Sequence, residues 1–207
     1  FQGDYYEFGP YLSPVYSPLI KPTWWPFSPA ILILWVPIGF RATCYYYRKM
    51  YYRSFFAHPT ACAVQEPWDS YNGETKFPFI LQNMHRYLLI IGFIPLTTMW
   101  YDVYLGTKFS DGFGLGIGTI VLFANVACIS MYVFSCHATR HLIGGGVDCF
   151  AKAWCGKQRH AIWKTCSTAN GHHMLYAWLS FVDVTVADLY VRLGAMGYIP
   201  ADLDRLF

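Results

Sequence analysis

Long stretches without charge alternate with short basic segments along this chain, and their lengths predict helices that cross a membrane. Pro22 to Phe40 carries no charge, and its centre, Ala30-Ile31-Leu32-Ile33-Leu34-Trp35-Val36-Pro37, is strongly apolar. The pattern predicts a helix here that continues through Arg41 into the tyrosine-rich stretch beyond. Tyr87-Leu88-Leu89-Ile90-Ile91-Gly92-Phe93-Ile94-Pro95-Leu96, between Arg86 and Asp102, makes a second candidate. Gly112 to Thr139 holds no Asp, Glu, Lys or Arg at all. A fourth stretch, from Met174 to Met196, is interrupted by Asp183, Asp188 and Arg192. A hydrocarbon core about 30 Å thick needs about 20 helical residues. Four spans satisfy this, near 30–52, 84–104, 113–137 and 174–196. The fold class predicted is an all-α integral membrane protein, a bundle of about four transmembrane helices with interfacial segments.

The basic residues orient the bundle. Arg41, Arg48, Lys49, Arg53, Lys76 and Arg86 join spans one and two, and Arg140, Lys152, Lys157, Arg159 and Lys164 join spans three and four. Only Lys21, Lys108, Arg192 and Arg205 lie elsewhere. The positive-inside rule puts both joining segments in the cytoplasm and both termini outside. Four spans fit that arrangement independently of their hydropathy. Composition agrees: 55% of the 207 residues are hydrophobic and 13% charged, against about 25% charged in a soluble domain. The 20% aromatic content suits the boundary between water and bilayer.

The remaining segments read more simply. Residues 1–29, rich in Pro, Tyr and Trp and without a helical period, are expected to lie on the outer surface with Trp24 and Trp25 at headgroup level. Residues 30–199 form the anchor domain and 200–207 a C-terminal tail. Gly114 and Gly118 have the small-xxx-small spacing that lets helices approach closely. No Lys-Ser or Lys-Thr follows these glycines, so a phosphate loop is excluded. Gly144-Gly145-Gly146 is expected to end the third helix or its extension.

Soft ligands collect at one predicted membrane face. Cys44 falls at the cytoplasmic end of the first span, His85 at the start of the second, and Cys136, His137 and His141 at the end of the third. His172 and His173 open the fourth, and Cys62 lies in the cytoplasmic loop. His137 and His141, at i and i+4, share one helical face, which suits a metal or plain exposure at a helix end. Cys136 and His137 point about 100° apart on a continuous helix, so they serve one site only if the helix ends there. Cys128 lies about two turns deeper and reads as a packing residue. Cys149, Cys155 and Cys166 lack paired spacing and read as structural.

Three chemistries suit such a layer. Two histidines on opposing helices hold a haem b axially, and two cysteines with two histidines hold a Rieske-type [2Fe–2S] cluster. A tetrahedral zinc is the alternative without redox chemistry. Arg41, Tyr45, Arg48 and Tyr52 recur at i, i+4, i+7 and i+11, one face of a helix leaving the membrane. Guanidinium and phenol groups there can dock a peripheral subunit, touch lipid phosphate or hydrogen-bond quinone carbonyls. Asp183 is an acid within a span, where charges are costly and often functional. Asp188 and Arg192 have the i, i+4 spacing of an ion pair.

Several blocks carry a family resemblance. Gly39-Phe40-Arg41-Ala42-Thr43-Cys44-Tyr45-Tyr46-Tyr47-Arg48-Lys49, Ala61-Cys62-Ala63-Val64, Leu81-Gln82-Asn83-Met84-His85-Arg86-Tyr87, Cys136-His137-Ala138-Thr139-Arg140-His141-Leu142-Ile143-Gly144-Gly145 and Ala187-Asp188-Leu189-Tyr190-Val191-Arg192-Leu193 resemble the membrane-anchor subunit of the actinobacterial, haem-free type of succinate dehydrogenase. The resemblance covers most of residues 30–195. It implies an anchor in the cell's inner (plasma) membrane for a flavoprotein and an iron–sulfur subunit docked on the cytoplasmic face. It also implies a Rieske-type [2Fe–2S] cluster in the membrane region, no haem, and a menaquinone- or ubiquinone-like substrate. Family positions match at Cys44, Cys62, His85, Cys136, His137 and His141, two more than the four ligands a cluster takes. His85 with one of His137 and His141 is the expected imidazole pair, and two of Cys44, Cys62 and Cys136 the thiolates. Arg41, Tyr45, Arg48 and Tyr52 are the expected quinone contacts. Flavin and succinate chemistry belongs to partner chains, membrane lipid is the other contact, and no nucleic acid is involved. The competing readings are a structural or transport-related membrane protein whose Cys/His layer binds zinc or merely packs, and a quinone-reactive anchor that holds a bis-His haem b.

Overall fold

The computed structural model describes residues 5–55, 75, 77, 79–110, 112–145, 147–200 and 204–206, without the side chains of Tyr52, Arg53 and Phe79. Among these residues are seven α-helices and two small hairpins. A hairpin of β1 (Glu7–Phe8) and β2 (Tyr11–Leu12) comes first, followed by α1 (Ile31–Thr43) and α2 (Tyr45–Phe55). A 3-10 turn, Phe79–Met84, leads into α3 (His85–Leu105). The second hairpin is β3 (Lys108–Phe109) with β4 (Gly112–Phe113), then come α4 (Ile117–Phe134), α5 (His137–Gly144), α6 (Gly156–Asn170) and α7 (His173–Ala195). The chain divides into two compact units, Phe1–Leu34 with Phe93–Phe207, and Trp35–Gly92.

Three stretches are long and apolar enough to cross a membrane: Ile80–Leu105, Ile117–Phe134 and His173–Ala195. Many of their exposed positions are apolar, among them Ile90, Ile94, Ile120, Phe123, Val182 and Leu189, which suits a lipid-facing surface. The fold is therefore the expected all-α membrane architecture. The first predicted span differs. Its continuous helix over 30–52 is broken at Cys44, leaving α1 only 13 residues, about 20 Å at 1.5 Å each. The cause is visible in Thr43, whose Oγ1 donates back to the carbonyls of Gly39 (2.8 Å) and Phe40 (3.3 Å). Such back-bonding weakens and bends a helix.

In the larger unit α4 packs on α7. The face that α7 buries carries Ala177, Ser180, Ala187, Val191 and Gly194, and small residues let two membrane helices approach closely. Toward the C-terminal end of α7, Asp188 Oδ2 accepts from Arg192 Nε at 2.8 Å, the expected i, i+4 pair, and Asp188 Oδ1 accepts from Ser13.

Residues 5–17 do more than lie on a surface. Tyr6, Tyr11, Ser13 and Ser17 are buried, and the first hairpin drives the Tyr11 ring against Gly118 at the start of α4. Tyr11 shares a core with Leu122, Ala187 and Val191. Its hydroxyl donates to buried Asp204 at 2.7 Å, and Asp204 Oδ1 accepts the Gly118 N–H at 2.8 Å and the Tyr190 hydroxyl. Gly118 thus makes room for an aromatic ring rather than for the predicted helix–helix crossing, and Gly114 precedes the helix altogether. Farther along, Trp24 (73% exposed) and Phe27 (63%) turn their rings outward.

In the smaller unit, Gly39 of α1 receives the side chain of Leu88, and Gly92 lies against Val36. Tyr51 of α2 donates to the Ala42 carbonyl at 2.7 Å and accepts from Gln82, which ties α2 to both flanking segments.

Candidate functional site: the helix breaks at Cys44 and Cys136

The chain stops being helical immediately before two of the predicted cysteine ligands. At the first break Cys44 is 1% exposed. The residue before it, Thr43, holds His85 through Oγ1···Nδ1 at 2.9 Å, and the His85 ring stacks on Phe40 with centroids 4.4 Å apart. Thr43 has a single hydroxyl proton, directed at the carbonyls behind it. Its hydrogen bond with His85 Nδ1 holds the imidazole ring in place. Fixing one ring nitrogen by a hydrogen bond orients the other toward a metal.

At the second break α4 ends at Phe134 and α5 begins at His137, with Cys136 as its N-cap. The helix break that Cys136 and His137 need in order to serve one site is thus present. Cys136 is 2% exposed and its thiol does not cap α5. His137 and His141 lie on one exposed face of α5, Nε2 to Nε2 3.2 Å apart, so the i, i+4 reading of the sequence is geometrically correct. Desolvation holds the His137 imidazole below its ordinary value, with His141 and Arg140 adding to the effect. Gly144 ends α5 where the glycine run predicts.

The other predicted site residues are distributed as follows. Cys62 lies outside the described residues, as does the Tyr52 side chain. The break at Cys44 separates Arg41 from the rest of the predicted single-face stripe. Arg41 instead donates to the Tyr47 hydroxyl at 2.9 Å, while the Arg48 guanidinium sits 5.3 Å from the centre of the Tyr45 ring. Asp183 is half-buried on α7, next to the Cys128 thiol of α4, and its Oδ2 has no hydrogen-bond partner.

His173 is the residue that sequence reasoning undervalued. It opens α7, is 3% exposed, stacks on Tyr132 with centroids 5.0 Å apart, and holds Ser135 through Nδ1···Oγ at 2.7 Å. Ser135 directly precedes Cys136. A hydroxyl residue just before a cysteine, with an aromatic residue three positions earlier, is the signal that finds both breaks: Phe40, Thr43, Cys44 and Tyr132, Ser135, Cys136.

Among the described residues no three His, Cys, Asp or Glu side chains gather closely enough to hold a metal ion. At each break a buried cysteine directly follows a hydroxyl residue that is hydrogen-bonded to an imidazole. Thiolates and imidazoles are the donor types that tetrahedral zinc or a Rieske-type cluster takes.

A family model for the actinobacterial succinate dehydrogenase subunit SdhC matches residues 1–197. The chain belongs to that family. It is similar to a chain of the Mycobacterium smegmatis Sdh1 complex in the apo form, at 37% identity and a TM-score of 0.87, over 100% of this chain and 82% of that one. No curated protein matches it. Membership makes this chain the membrane subunit of a succinate dehydrogenase, and the long apolar helices are its anchor.

Proposed function

We propose that this SdhC-family subunit carries electrons as well as anchoring its enzyme, by holding a Rieske-type [2Fe–2S] cluster. When bound, that cluster would supply a one-electron relay between the iron–sulfur subunit and a membrane quinone. Two of Cys44, Cys62 and Cys136 supply its thiolates. Its imidazoles are His85 and, on the sequence reading, one of His137 and His141. The observation that carries this reading is that Thr43, hydrogen-bonded to His85 Nδ1 at 2.9 Å, directly precedes the buried Cys44.

The chain's own residues have three further tasks in this reading. Arg41, Tyr45, Arg48 and Tyr52 receive the quinone, whose carbonyl oxygens accept from guanidinium and phenol donors while aromatic rings hold its plane. The basic segments that follow the first and third spans face the cytoplasm, where the flavoprotein and iron–sulfur subunits dock. Both termini then lie outside the plasma membrane, with α1 as the first and shortest of four spans.

Electron paramagnetic resonance of the purified, reduced complex tests the proposal, together with iron, sulfide and zinc analysis. The expected result is a Rieske-type signal that His85→Ala abolishes. A spectroscopically silent preparation containing zinc overturns it in favour of a structural centre, and a Soret band overturns it in favour of haem b.

A further inference from the structure

The C-terminal half of α3 grades from apolar to cationic along one face. Ile94, Thr97, Tyr101 and Tyr104 recur at i, i+3, i+7 and i+10, which places them within about 80° of one another around the helix. All four are exposed. Thr97 returns its hydroxyl to the carbonyls of Phe93 and Ile94, both at 2.9 Å, so it asks for no partner from hydrocarbon. From Ile94 to Tyr104 the helix rises about 15 Å, half of a hydrocarbon core about 30 Å thick. The face is one leaflet deep.

Lys108 completes it. A folded corner ends α3: the Gly106 N–H donates to the Asp102 carbonyl, Thr107 Oγ1 to the Tyr104 carbonyl and Thr119 Oγ1 of α4 to the Gly106 carbonyl, each at 2.7 Å. The chain turns there into β3, and the Lys108 ammonium comes to rest 4.4 Å from the centre of the Tyr104 ring. The Tyr101 ring lies next, 6.1 Å from that of Tyr104. Phe113 stands directly opposite Lys108 in the second hairpin and is 74% exposed, and partners so paired share one side of the sheet. An aromatic ring attracts an ammonium without neutralising it. The charge is thus held in place before any ligand arrives, which lowers the cost of binding an anion there.

Apolar side chains, then phenols, then an ammonium follow the order of groups in a phospholipid read from acyl chain to phosphate. A zwitterionic headgroup brings its own cation, which opposes Lys108, whereas an anionic headgroup does not. We propose that this face of α3 binds one anionic phospholipid. Its acyl chain lies on Ile94 and Thr97, its ester region at Tyr101 and Phe113, and its phosphate on the Lys108 ammonium. The site is built by α3 and the second hairpin and is independent of the cluster proposed above.

The test uses the whole purified complex in detergent with phosphatidylcholine, titrated with phosphatidylglycerol, and bound lipid counted by native mass spectrometry. The wild type takes up one phosphatidylglycerol that Lys108→Gln binds about fivefold more weakly, the contribution of one basic residue near a membrane surface. Lys108→Arg keeps it, because the charge remains. Phosphatidylcholine binds both proteins alike, and inorganic phosphate displaces nothing, because it brings no acyl chain to the helix. Equal uptake of phosphatidylglycerol by the wild type and Lys108→Gln overturns the proposal in favour of an ordinary aromatic girdle, as does equal affinity of the wild type for the two lipids. A Lys108→Arg complex that binds like Lys108→Gln, or a variant that loses both lipids together, overturns it because charge is then not what holds the lipid. Displacement by inorganic phosphate overturns it in favour of a site for the free anion.

Discussion

Removing the Tyr11 hydroxyl, and then the whole ring, separates two contributions that hold the first hairpin in the larger unit. Tyr11 is 1% exposed, and its hydroxyl donates to Asp204 Oδ2 at 2.7 Å. Burial pushes the phenol well above its ordinary range, so it remains a neutral donor at physiological pH. Asp204 Oδ1 keeps the Gly118 N–H and the Tyr190 hydroxyl whatever happens to Tyr11. Tyr11→Phe therefore removes one hydrogen bond to a carboxylate, worth about 1.5–3 kcal/mol, and leaves the ring packed on Phe109. Tyr11→Ala also empties the ring's place beside Gly118 and Gly106, adding about 3–5 kcal/mol. At roughly 2–4 °C per kcal/mol for a chain of this size, the phenylalanine variant unfolds roughly 3–12 °C early and the alanine variant earlier still. Tryptophan fluorescence during thermal unfolding of the detergent-solubilised complex, at one fixed scan rate, reads both. A phenylalanine variant that melts with the wild type refutes a stabilising role for the bond, and one that melts with the alanine variant refutes a role for the ring.

Other expectations follow from the same packing. Gly194→Ala puts a Cβ inside the Phe8 ring, so it costs about 1–3 kcal/mol by overpacking, and the cost vanishes in a Phe8→Ala background; equal costs in the two backgrounds show that the contact is not responsible. Arg192→Ala leaves Asp188 with its Ser13 bond and, at about a quarter exposure, lowers stability by about 1 kcal/mol, measurable as a midpoint shift that salt in the buffer diminishes for the wild type. A salt-insensitive difference argues that Arg192 acts through its guanidinium over the Tyr16 ring instead. The Cys166 thiol is buried and pushed upward by desolvation, so it resists alkylation at neutral pH until the chain unfolds; rapid labelling of the native complex, located by peptide mass, contradicts this.

The sequence revealed what a long one-dimensional pattern can carry. The charge-free run from Gly112 to Thr139 announces α4, and α7 remains legible despite Asp188 and Arg192 because their spacing predicts that they pair. Two kinds of feature escape such reading. The hairpin at residues 5–17 has strands of two residues, too short for any period, and its stability comes from contacts with Gly118 and Asp204 that lie far along the chain. The break at Cys44 escapes because apolar and aromatic residues continue across it, so hydropathy registers no boundary. Of the candidate ligands, Cys44, His85 and Cys136 occupy buried or half-buried positions at helix ends, as topology suggested. His137 and His141 attracted notice through spacing, yet spacing does not report burial, and His173 is the histidine that the fold encloses.

The position of the hydroxyl residues explains why the helices break where they do. In an uninterrupted helix a Thr or Ser side chain that bonds to its own preceding turn is merely tolerated, with a slight bend as the result. Here the same hydroxyl that bonds back to its own helix also bonds to an imidazole nitrogen. The bend and the placement of the ring thus share one residue. After the bend, the next residue no longer follows the helix: Cys136 takes φ −67° and ψ 142° and caps α5 through its backbone, with its thiol not engaged in the cap. Serine and threonine are interchangeable in this role, which is why one occurs at each break. Valine, isosteric with threonine, supplies no lone pair, and alanine supplies neither bend nor acceptor. A local hydrogen bond that costs helix stability is in this way what delivers a thiol and an oriented imidazole to the same end of a membrane helix.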